Sequence, residues 1–112
     1  MTVKQDDISF RRMMGIAAKA GRVKSGEFAS ETSLKKGKAF VCLLSSDASD
    51  RTKKHFTDMC AYRSIPVYTV SADMNELGHM IGRGPRSSAV IEDEGLASKI
   101  VGLIDGGSAS GK

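Results

Sequence analysis

Gly21-Arg22-Val23-Lys24-Ser25-Gly26-Glu27 is a basic segment bracketed by glycines, and it stops where a helical pattern begins. A helix start leaves its first backbone N–H groups without intrahelical acceptors, and the aligned peptide dipoles make that end positive. With Arg22 and Lys24 beside it, such an end suits a phosphate or a nucleic-acid backbone. Gly26 permits a positive φ and close approach of the backbone. The donors it would present are the N–H groups of Glu27 and Phe28. Arg22 and Lys24 flank Val23, so a strand here turns both charges to one side. A second basic segment is Gly82-Arg83-Gly84-Pro85-Arg86-Ser87. Its two guanidiniums can fork onto phosphate or stack on a base, although a plain basic turn would look the same. Lys35, Lys36 and Lys38 cluster at the far end of the helix that follows Gly26, where they either extend the basic surface or only offset the helix dipole. Phe28 has two readings. If exposed, it can stack on an unpaired base, worth ~1–3 kcal/mol. If buried, it is core, and the weakly apolar row it shares with Thr32 favours core or partial burial.

Charge supports an anionic partner on one side of the fold. The 112 residues carry a net charge of +4, and residues 1–40 hold nine Lys/Arg against four Asp/Glu, while the remainder holds eight against nine. Such asymmetry marks a candidate nucleic-acid face, although a solvated surface can show it too. A hydrophobic content of 40% with 27% charged residues is that of a globular domain with one core. No apolar run approaches the ~20 residues needed to span a membrane. The acidic start of the chain, with Asp6 and Asp7, has no apolar signal-peptide core. Cys42 and Cys60 are too few and too far apart in sequence for a disulfide scaffold or a zinc site, so they read as reduced, buried thiols of a cytoplasmic protein.

Catalytic chemistry finds little footing. By spacing, His55 and His79 have no acidic or thiol partner, and His55 follows Lys53-Lys54 on a polar helix face. Asp47 and Asp50 beside Ser49 could suggest a metal or a nucleophile, but helix capping accounts for Ser49 and Asp50. Gly82-Arg83-Gly84 lacks the later glycine and helix of a nucleotide-binding loop. The expectation is a protein that is not an enzyme, with no catalytic residue, metal or cofactor.

These residues must be positioned by alternating helices and strands. A first helix is predicted over Ile8–Ala20, with Phe10, Met13, Met14 and Ala17 on one face and Gly21 closing it. A short strand over Arg22–Lys24 precedes a helix that starts at Ser25 or Gly26 and ends by Gly37. Ala39–Ser45 reads as a central strand buried on both faces. A third helix places Phe56, Met59 and Cys60 together, and Ile65–Val70 is the next strand, with Pro66 near its start. Asp73 and Glu76 have the spacing of a capping box for a short fourth helix ending near Gly82. Ser87–Ile91 is a strand. A last helix from about Asp93 carries Leu96, Ala97, Ile100, Leu103 and Ile104. The alternation predicts an α/β domain with helices on both sides of a small sheet. It is expected to span residues 1–105, with a flexible Gly/Ser tail over 106–112.

In order and spacing, the segments Met14–Glu27, Asp47-Ala48-Ser49 with Thr52-Lys53-Lys54, Tyr62, Ile65-Pro66-Val67, Glu76-Leu77-Gly78 with Ile81-Gly82-Arg83, and Asp93–Ala97 resemble the bacterial YlxQ-like branch of the L-seven-Ae/L-thirty-e ribosomal protein superfamily. The resemblance covers about Ile8–Ile104. It implies a three-layer α/β/α sandwich around a small four-stranded mixed sheet. It also implies binding of structured RNA, kink-turns or related internal loops, without catalysis. In the family a Gly-x-Asn-Glu-x-x-Lys motif reads bases. Here Gly26 matches the glycine, whereas Phe28, Ala29 and Thr32 stand at the Asn, Glu and Lys positions. The resulting site comprises Arg22, Lys24, Gly26, Glu27, Phe28, Thr32, Lys36, Arg83, Gly84 and Arg86. RNA, including ribosomal RNA, is the expected partner of a monomer. The rival expectation is a protein-interaction adaptor on the same fold, meeting a ribosomal or transcription-associated protein.

Overall fold

The structure, a computed structural model, describes residues 2–3 and 7–105. The elements run β1 (Thr2–Val3), α1 (Asp7–Lys19), β2 (Val23–Ser25), α2 (Glu27–Lys35), β3 (Val41–Leu44), α3 (Asp50–Arg63), β4 (Val67–Val70), α4 (Met74–Met80), β5 (Ser88–Ile91) and α5 (Glu94–Asp105). The strand order is β1-β4-β3-β5-β2. β3 pairs parallel with β4, while β5 runs antiparallel to both β3 and β2. The four-stranded mixed sheet implied by the sequence is therefore β2–β5. A two-residue fifth strand, β1, extends it parallel to β4, with Thr2 opposite Thr69. So short a pairing leaves no alternating pattern to read in sequence. The Gly/Ser tail expected over 106–112 lies outside the described residues.

Period-two alternation on β3 divides the core in two. Val41 and Leu43 join Phe10, Met14, Leu77, Ile100 and Ile104 on the side covered by α1, α4 and α5. Cys42 and Leu44 join Leu34, Phe56 and Cys60 under α2 and α3. All four β3 residues are buried, as the apolar run predicts. Cys42 and Cys60 are free thiols that meet inside this second core despite their separation in sequence. The hydrogen bond with Cys60, followed by burial, raises the Cys42 thiol well above its ordinary range.

Caps set the helix entrances. Ser49 accepts from the Thr52 N–H at 3.1 Å, and Asp73 with Glu76 completes the expected capping box at the start of α4. Asp47 accepts from the Met74 N–H at 3.0 Å, joining the β3–α3 turn to α4. α2 differs. Its N-cap is Gly26, with φ 90 and ψ 161, and no side chain caps it. That backbone region is essentially restricted to glycine.

Candidate nucleic-acid interface

β2 is an edge strand, so the chain leaving it reaches α2 at the rim of the sheet. Two contacts hold that junction on β5. The Gly26 N–H donates to the Ser88 carbonyl at 3.0 Å, and the buried Ser30 and Ser88 hydroxyls lie 3.3 Å apart. Small side chains at this contact let α2 sit close to the sheet. The Ser30 N–H reaches the Gly26 carbonyl at 3.0 Å, which closes the first helical turn. The N–H groups of Glu27, Phe28 and Ala29 precede that first bond and have no side-chain cap, so they are the donors this end offers.

The second basic segment folds against the first. Gly82, at φ 72, turns the chain out of α4, and the Arg83 N–H donates back to the Gly78 carbonyl at 2.8 Å. The loop then passes so near α4 that a Cβ on Gly78 would stand 1.9 Å from the Gly84 carbonyl oxygen. Arg86, half-buried, links the two segments: its Nε donates to Ser25 Oγ at 3.1 Å and its Nη1 to the Pro85 carbonyl at 3.1 Å. Its side chain also packs over Gly26, where an added Cβ would lie 3.9 Å from Cδ and Nε.

A cleft of about 210 Å3 results, in which Lys24, Ser25, Arg83 and Arg86 come together beside Ala29. A neighbouring groove of about 320 Å3 runs along α2 past Phe28 and Thr32 to Lys36 and Lys38. Lys24, Gly26, Glu27, Phe28, Thr32, Lys36, Arg83 and Arg86 therefore gather on one side of the molecule around α2, and Gly84 shapes the loop. Arg22 is exposed but lines neither cleft, and its carbonyl accepts from the Glu92 N–H at 2.7 Å.

Two sequence expectations change here, at Phe28 and His55. Phe28 is 81% exposed, not core, because the face of α2 that packs inward is Ser30, Ser33 and Leu34. Thr32 does not present a free hydroxyl, since Oγ1 donates to the Phe28 carbonyl at 2.9 Å. His55 does have an acidic partner: its Nε2 lies 2.5 Å from Glu31 Oε2, a contact between helices that spacing along the chain cannot reveal. Sequence reasoning also passed over Ser25 and Gly78, the first an anchor for Arg86 and the second the clearance for the loop. The glycine of Glu76-Leu77-Gly78, inside an otherwise helical pattern, was the available signal for a close backbone approach.

The sequence profile of the ribosomal protein L7Ae/L30e/S12e/Gadd45 family matches residues 9–101. The chain belongs to this family. Within the family's curated members it is 34% identical over 93 residues to the RNA-binding protein YlxQ of Bacillus subtilis (strain 168), covering 83% of this chain and 92% of that protein. It is 33% identical over 94 residues to the RNA-binding protein YlxQ of Enterococcus faecium, covering 84% and 89%. Among solved structures, a protein of unknown function from Bacillus halodurans C superposes with a TM-score of 0.80 at 33% identity, covering 85% of this chain and 95% of that one. The Giardia lamblia 15.5kD RNA binding protein superposes with a TM-score of 0.72 at 21% identity, covering 88% of each chain, and so shares the family's α/β/α fold.

Proposed function

We propose that this chain is a non-catalytic RNA-binding protein that grips structured RNA, a kink-turn or a related internal loop, between the start of α2 and the Gly82–Arg86 loop. The observation that carries this reading is the Arg86–Ser25 bridge, which makes one basic cleft with Lys24 and Arg83 out of two segments |i−j| = 61 apart. Lys24, Arg83 and Arg86 meet phosphates, and Arg22 and Lys36 extend the field at either end. The amides of Glu27 and Phe28 fix orientation. The names of the YlxQ relatives point the same way. Base recognition differs from the family motif, because Phe28, Ala29 and Thr32 offer no free amide, carboxylate or ammonium. The exposed Phe28 ring supplies stacking in place of hydrogen bonds to base edges. On this reading the protein is a cytoplasmic, ribosome-associated monomer built as one domain. Among the described residues no helix is long and apolar enough to cross a membrane.

The exposed Phe28 ring also favours a second reading, a protein-interaction adaptor that docks through this apolar point. Gel shifts with a kink-turn RNA and an unrelated duplex, repeated across salt, distinguish the two. RNA binding predicts a shift at low salt that falls steeply with added salt. A flat salt response or no shift defeats the electrostatic grip and leaves the adaptor.

A further inference from the structure

Glu27 and Glu31 stand one helical turn apart on α2, so their carboxylates share a row. His55 reaches the same point from α3. One carboxylate oxygen from each glutamate and one imidazole nitrogen all lie within 4.8 Å of one another. The imidazole is held in place from two sides. Glu31 bonds its Nε2, and its ring meets the buried Phe56 ring edge-on, with centroids 5.0 Å apart at 70°. Glu31 and His55 are half-buried, while Glu27 is exposed. The chain has 17 Lys and Arg, yet neither glutamate pairs with one among the described residues. Two carboxylates and an imidazole thus converge with no lysine or arginine paired to them among the described residues.

We propose that Glu27, Glu31 and His55 bind one divalent first-row transition ion, of which Zn2+ is the type. Imidazole with two carboxylates is a borderline donor set. It suits zinc and its neighbours, whereas Mg2+ and Ca2+ prefer all-oxygen shells and gain little from the ring nitrogen. Ligand distances of about 2.0–2.2 Å place the three donors roughly 3–4 Å apart around the ion. The donors already lie within 4.8 Å of one another, and the ion would take the place of the direct Nε2···Oε2 contact. Water fills the remaining positions, since the Glu27 side is open. Because the donors come from two helices, the ion clips α2 to α3 and raises the stability of the folded chain by mass action.

The test uses the full chain without a histidine tag and with no RNA present, so it stands apart from the RNA reading. Zn2+ is titrated by calorimetry and Co2+ by its visible bands, with excess Mg2+ as competitor. The expected result is one ion per chain, an upward shift in melting temperature, and Co2+ bands that Zn2+ abolishes and Mg2+ does not. His55→Ala and Glu31→Gln are each expected to weaken binding by at least the ~10–100-fold that loss of an outer-shell partner costs. Glu27→Gln, a change at an exposed site that leaves the fold intact, weakens it as well. His79→Ala leaves it unchanged. Absence of binding by the unaltered chain, or binding that survives both His55→Ala and Glu27→Gln, overturns the proposal.

Discussion

Two adjacent rows of α2 face solvent with opposite character. Phe28, Thr32 and Lys36 form one, lining a groove that also holds Lys24 and Lys38. Glu27 and Glu31 form the other and turn toward His55 on α3. The rows interleave in sequence and separate only when the helix winds, because each residue steps ~100° from the last. Net charge summed along the chain hides this. The first 40 residues are strongly basic, yet the two acids of α2 sit together on one row instead of among the lysines. The contrast teaches that the orienting end of α2 and its charged flanks are separable: Gly26 and the first amides belong to both rows, and the side chains to one each.

The largest break in the contrast comes from reversing the basic side. Lys24→Glu with Arg86→Glu is expected to reduce RNA affinity by on the order of 100-fold or more and to lower the salt slope by about 2, measured by gel shift. Metal binding on the other row stays. Loss of both together would mean that the fold, and not the charge, was damaged. Gly78→Ala comes next and removes no charge at all. The new methyl collides with the Gly84 carbonyl, so the loop must move, and urea unfolding should show a loss of about 1–3 kcal/mol. RNA binding weakens with it, since Arg83 and Arg86 travel with the loop.

Phe28→Ala sharpens the comparison differently. At 81% exposure the ring contributes little to folding, so stability should hold within ~0.5 kcal/mol. RNA affinity should fall by the ~1–3 kcal/mol of one stacked base. Unchanged RNA binding, with a lost protein contact in its place, would favour the adaptor. The smallest effect belongs to Glu27→Gln in metal-free buffer. Removing a negative charge beside the phosphate cradle should strengthen RNA binding by less than ~1 kcal/mol at low salt, and the gain should vanish as salt is added.

Most elements were legible because their signals are local. The Phe10/Met14/Ala17 stripe, the apolar run of β3 and the Asp73/Glu76 capping box each lie within a few residues, and each appears where the pattern placed it. The basic segments were legible for the same reason. What escaped depends on which elements touch. The inward face of α2 is set by two serines and one leucine, so hydrophobic period alone could not show that Phe28 points outward. The His55–Glu31 contact and the Arg86–Ser25 bridge span |i−j| = 24 and 61. The fifth strand is two residues long and exists only by pairing with β4.

The meeting of Cys42 and Cys60 has a practical consequence. Both thiols are fully shielded, one on the central strand and one on α3. No alkylating reagent reaches either until α3 lifts from the sheet. The rate at which a thiol reagent labels the native protein is therefore a clock for that opening, built from residues already present and requiring no added probe.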